Sequence, residues 1–169
     1  MKKLNLLKTL LDLFFFFSIF AVIGIFILGP IAFFNGEDLP LKIKGQEIIA
    51  DNWGARLLIV TSAISSLLFV YAIFLFRKNV HSLVKREIFT EVVIANFKRI
   101  GWCLIASTLL GEIPLFFYNM INRNHLGLQF GTGGFDSMLL SIALGLFFMV
   151  LSEIFKIGKN LKEENDLTL

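Results

Sequence analysis

The chain has 169 residues, 56% of them hydrophobic and 17% charged, with twenty Phe and a mean hydropathy of +0.78. So much apolar surface excludes an ordinary soluble domain of this length, whereas lipid would solvate it directly. The net charge of +3 is small and unevenly placed, and a basic rim beside anionic headgroups accounts for it without direct nucleic-acid binding.

Four apolar runs organise the chain into a single four-helix membrane domain over residues 1–169. They are Leu13–Phe34, Leu57–Phe76, Ile100–Tyr118 (running on to Met120) and Met138–Ile157. Spanning a ~30 Å hydrocarbon core takes ~20 helical residues, so each run is long enough. The opening MKKLNLLKTLLDLFFFF has an apolar stretch too long for a signal peptide, and GPIAFFNG offers no small-x-small cleavage site, so a retained first helix is expected.

After the first helix, Asn35-Gly36 and Pro40 break the chain, and Leu41-Lys42-Ile43-Lys44 alternates apolar with polar. A turn at Gly45-Gln46 would fold this segment back on Glu47-Ile48-Ile49 as a short hairpin. Two strands alone are marginal, so the hairpin must rest on the bundle or the lipid surface. Trp53 and Tyr118 suit the outer interface. On helix two, Ser62, Ser65 and Ser66 cluster; on helix four, Ser137, Ser141 and Gly145 recur every fourth residue. Small residues let helices approach closely in lipid, which predicts a contact between helix four and helix two.

The middle segment RKNVHSLVKREIFTEVVIANFKRIGW places Val80, Leu83, Val84, Ile88, Val92 and Ala95 at helical spacing opposite Lys85 and Arg86. It reads as a helical, amphipathic cytoplasmic segment between helices two and three, broken near Thr90 and lying on the membrane surface with its apolar side toward acyl chains or helix ends. Thr90 is placed to cap a new turn ahead of Glu91. Lys and Arg concentrate at the N-terminus, in this segment and in the tail, so the positive-inside rule puts both termini in the cytoplasm. Cys103, the only cysteine, reads as a small apolar filler.

Glu112, in LLGEIPLFFY, is the costliest residue of the apolar runs. Counted from Ile100 it lies roughly 18 Å along helix three at the standard rise. Pro114 removes a helix hydrogen bond close to the acid. Arg56, at the outer start of helix two, is the nearest counter-ion by depth. Two readings stay open: a functional intramembrane acid, or the outer end of a short helix three with LFFYNMI lying in the interface. The outer-loop run Gly131-Thr132-Gly133-Gly134 lacks the Lys-Ser/Thr of a phosphate loop and reads as a turn. His81 and His125 have no ligating neighbours in sequence, and no Ser-His-Asp arrangement or HExxH motif occurs. Neither an enzyme, a metal nor a cofactor is expected.

The tail, residues 158–169, follows Glu153 and Lys156, which are three apart and able to pair. Leu161 continues the face of Ile154 and Ile157, so the helix should run on before Asp166. Asp166-Leu167-Thr168-Leu169 then alternates like a short extended end docked on the inner face. The stretch EIFKIGKNLKEENDLTL is similar to the closing signature of a bacterial membrane family, domain of unknown function 2975. The matching residues are Glu153, Phe155, Leu161, Glu164, Asn165, Asp166, Leu167 and Thr168. REIFTEVVIANFKRIGW resembles a second family segment through Phe89, Thr90, Ile100 and Gly101, with Val93 where the family often carries Asn.

The resemblance implies a small multi-pass inner-membrane protein without a settled activity, often encoded beside a small helix-turn-helix regulator. The expectation is a non-enzymatic membrane partner or sensor for such a cytoplasmic regulator, acting through its inner face and tail. The alternatives are a small homo-oligomeric transporter or transporter subunit using Glu112, and an immunity or envelope-stress protein.

Overall fold

The computed structural model describes residues 2–34, 41–43, 45–48, 52–85, 87–122 and 135–167. Four helices dominate it: α1 (Lys2–Phe34), α2 (Trp53–Val84), α3 (Glu91–Asn122) and α4 (Phe135–Leu167). Each is long and apolar enough to cross a membrane, and the fold is an all-α, four-helix membrane protein. At 32 or 33 residues apiece, the helices outrun the ~20 residues that hydrocarbon demands. The surplus lies mainly at the end that holds both termini, called here the termini end.

The helices pack in chain order, α1 on α2, α2 on α3 and α3 on α4. The reason is written along α3. Val93, Asn96, Phe97, Ile100, Leu104, Ser107, Gly111 and Leu115 are all buried, and each lies three or four residues from another of them, which makes one continuous stripe. Ala72, Leu75 and Phe148 complete the core around Phe97 and Leu104. By contrast α1 exposes most of its Phe and Ile side chains, the surface expected of a helix facing lipid. Asp12 and Arg77 tie its first half to α2 through an ion pair, and the Arg77 guanidinium lies 5.3 Å from the Phe15 ring centre. Asp12→Asn is therefore expected to loosen α1, and the swapped pair Asp12→Arg with Arg77→Asp should restore it. Protease accessibility of α1 in detergent measures this.

The hairpin forms as expected, with β1 (Leu41–Ile43) antiparallel to β2 (Gln46–Ile48). Pairing with Ile43 puts Gln46 in strand β2, so it is not part of the turn as predicted. Gly45 has φ +80, a left-handed conformation that glycine adopts without steric penalty. The hairpin rests on the bundle: Ile48 is buried with Ala55, Leu58 and Leu115, while Ile43 packs against Ala32 and Ile59.

Three expectations need correction. The segment between helices two and three is not a separate surface element, because α2 continues to Val84 and α3 begins at Glu91. Its apolar side turns into the bundle through Val80 and Val93, whereas Val92 is exposed, so the buried face of α3 lies one position on from the predicted one. Thr90 does cap the new helix, accepting from Val93 N at 3.4 Å through its hydroxyl. Second, α4 packs principally on α3 rather than α2. Gly145 and Gly101 meet there, and a Cβ built on Gly101 would lie 2.5 Å from the Gly145 carbonyl oxygen.

Third, α4 stays helical through Leu167, and its final turns are exposed rather than docked, with Leu161 61% and Leu167 87% exposed. Thr168, Leu169, His125, the 131–134 turn, Arg86, Asn35-Gly36, Pro40 and Ile49 lie outside the described residues.

Candidate functional site

Two regions place polar side chains where hydrocarbon packing alone would not. The first is a cavity of about 380 Å³ into which all four helices contribute. Ser18 comes from α1, Ser65 and Ser66 from α2, Ser107, Thr108 and Glu112 from α3, and Ser137 and Ser141 from α4. Ala21, Val22, Ile25, Phe69 and Val70 form its apolar wall. The cavity exists because small side chains converge where α1 and α4, which share no principal contact, flank the α2–α3 pair.

Glu112 is half-buried in this wall, and α3 carries on past Pro114 for eight further residues to Asn122. The short-helix reading of Glu112 therefore does not hold. Arg56 is held elsewhere, over the rings of Phe33 and Trp53 at 5.7 and 5.6 Å. It does not line the cavity, and among the described residues it forms no ion pair. The predicted pairing of Glu112 with Arg56 is not part of the fold.

The second region is the termini end. Asn79 and Asn96 are buried there, and Asn96 Nδ2 donates to Asn79 Oδ1 at 2.9 Å while Asn79 Nδ2 donates to the Val93 carbonyl at 3.1 Å. Ser152 Oγ donates to the Ile94 carbonyl at 2.7 Å, joining α4 to α3. Lys159 reaches Glu91 at 2.9 Å and Glu163 at 3.5 Å. Phe155 packs against Phe97 and Phe89 with ring centres 5.3 and 5.9 Å apart. Phe89 in turn closes over Gly158, where a Cβ would meet its ring at 2.6 Å. These contacts bind α2, α3, α4 and Phe89 into one unit.

Of the tail residues singled out by sequence, Phe155 belongs to this unit, and Glu153, Leu161, Glu164, Asn165, Asp166 and Leu167 are exposed on α4. The pair predicted between Glu153 and Lys156 does not form; Lys159, one turn on from Phe155, makes the bridges instead. Sequence reading missed Asn79, Asn96, Ser152, Ser18, Ser107 and Thr108. The available signal was positional: Asn79 follows Ala72 and Leu75 by seven and four, and Thr108 precedes Glu112 by four, so Asn79 shares a helix face with two apolar residues and Thr108 with the acid. Among the described residues no group of His, Cys, Asp and Glu could hold a metal ion.

In comparison with known families, residues 20–169 match the family described as "Protein of unknown function (DUF2975)". No curated protein and no solved structure matches the chain.

Proposed function

Because the chain belongs to the DUF2975 family of membrane proteins of unknown function, we propose a role drawn from its geometry: a non-enzymatic inner-membrane protein that docks a cytoplasmic regulator at its termini end. The observation that carries this reading is the hydrogen-bonded helical unit beyond the hydrocarbon. A helix only has to cross ~30 Å, yet α2, α3 and α4 extend past that length together. Buried asparagines and closely packed Phe rings make those extensions rigid. Rigid presentation lowers the entropy cost of binding a partner. The exposed α4 end, with Leu161 on the same face as Ile154 and Ile157, then offers an apolar stripe at helical spacing.

With both termini in the cytoplasm, the orientation that the Lys and Arg distribution favours, that stripe meets soluble proteins. The small helix-turn-helix regulator implied by the resemblance is the proposed partner. A photo-crosslinking residue at position 161 should capture that regulator in cells, and one at Leu140, an exposed position within the apolar run of α4, should not. Adducts to lipid alone at position 161, or an unchanged adduct after interrupting the stripe with Ile157→Asp, would remove the docking reading.

A further inference from the structure

Arg56 carries a permanent charge into the apolar span of α2, at the end opposite the termini. Its guanidinium lies against two rings, 5.7 Å from the centre of Phe33 and 5.6 Å from that of Trp53. Its Nε is closed off from solvent and has no acceptor, and among the described residues no carboxylate pairs with the group. Ring contact recovers only part of the cost of desolvating a guanidinium. Depth adds to that cost. Trp53, 78% exposed, marks the interface, and Arg56 lies roughly 4.5 Å further toward the bilayer centre at the standard rise.

The surface that descends from this level is apolar. Below Trp53, the exposed Leu57, Val60 and Ile64 continue a single stripe down α2 at steps of four, three and four. From Trp53 to Ile64 the stripe covers roughly 16 Å, about one leaflet of a ~30 Å hydrocarbon core. Helix α1 packs beside α2, and its exposed Ile31 and Ile27 descend in the same way from the level of Phe33.

We propose that Arg56 holds the phosphate of an anionic phospholipid in the leaflet at this end. A phosphodiester presents two unesterified oxygens to the planar fork of the guanidinium, and the acyl chains run down the two stripes. The net negative charge of the lipid balances a cation that no described side chain neutralises. A soluble phosphate ester has no chain to lay along the stripes, and a zwitterionic headgroup brings its own cation to a site that already holds one. The lipid site and the docking surface lie at opposite ends of the bundle, so the two readings can fail separately.

The chain has two tryptophans, so Trp102→Phe leaves Trp53 as a fluorescent reporter beside Arg56. The test reconstitutes this protein in phosphatidylcholine vesicles with rising fractions of phosphatidylglycerol brominated near the glycerol end of its acyl chains. A parallel series with brominated phosphatidylcholine gives the quenching expected of random mixing. Quenching of Trp53 should show about a tenfold preference for phosphatidylglycerol, the gain expected of charge-assisted hydrogen bonds. Arg56→Gln should bring the preference close to random mixing, and Arg56→Lys, which keeps the charge but not the fork, should fall between. The reciprocal reporter, Trp53→Phe with Trp102 retained, reads the termini end. There Arg56→Gln should change nothing, which establishes that the variant is folded. Excess glycerol 3-phosphate in the buffer should not relieve the quenching of Trp53. Random mixing at Trp53 in the parent, full preference in either Arg56 variant, or relief by glycerol 3-phosphate would overturn the proposal.

Discussion

Gly101→Ala is expected to destabilise the bundle, although the same change in an uncrowded helix is stabilising. A Cβ at this position lies 2.5 Å from the Gly145 carbonyl oxygen and 2.5 Å from Met149 Cγ. Met149 can swing away, but the carbonyl belongs to the backbone of α4, so the two helices must part. Overpacking of this kind costs about 1–3 kcal/mol. Helix propensity opposes it, since Ala is favoured over Gly by ~1 kcal/mol in a helix interior. The crowding wins because parting α3 from α4 also strains the contacts between Phe148 and Phe97 and between Ser152 and Ile94. Gly24→Ala is the matched control: nothing lies within 4 Å of its Cβ, so only the propensity gain remains. Titration with sodium dodecyl sulfate, read by helicity, should move the midpoint down for Gly101→Ala and leave it level or raised for Gly24→Ala. Opposite signs for one identical substitution would locate the tight helix crossing at Gly101 and Gly145.

The four helices were legible because their signal is compositional: each run is apolar on all sides, and lipid asks for nothing subtler. Their lengths were not legible. Arg77, Lys78, Lys98 and Arg99 read as the edges of spans, yet the backbone remains helical through them to Val84 and from Glu91. Charge marks where hydrocarbon stops, and the helix goes on for as long as neighbouring helices bury one face. The α3 stripe from Val93 to Leu115 shows this, since it crosses the basic stretch without a change of phase.

Glu112 was legible as an expensive residue, but its surroundings were not, because the cavity hydroxyls come from four helices far apart in sequence. In sequence each one alone looks like an ordinary serine or threonine able to bond back to its own helix. Arg56 was matched to Glu112 by depth, a single coordinate, while its actual partners are the rings of Phe33 and Trp53.

Asn79→Leu should be the most damaging change at the termini end, and a second substitution should rescue it. Asn79 is fully buried and Asn96 is 4% exposed, so water cannot replace what either loses. Removing Asn79 leaves the Asn96 amide without the acceptor it uses at 2.9 Å. An unsatisfied buried polar group of this kind costs about 1–3 kcal/mol. Asn96→Leu should cost less, because Asn79 keeps its bond to the Val93 carbonyl and loses only one incoming donor. The double variant has no stranded amide and adds two apolar side chains to a core already built from Val80, Val93 and Phe97. Its stability should return to within ~1 kcal/mol of the parent, as expected when both partners of a buried pair become apolar. The same detergent titration gives the double-mutant cycle, and a coupling near zero would show that the two asparagines act separately. The rescued variant also separates stability from docking. A pair of asparagines fixes the register of α2 against α3, whereas two leucines tolerate a shift along the helix axis. If register is what the partner reads, the double variant should remain folded while the crosslink from position 161 to the regulator falls.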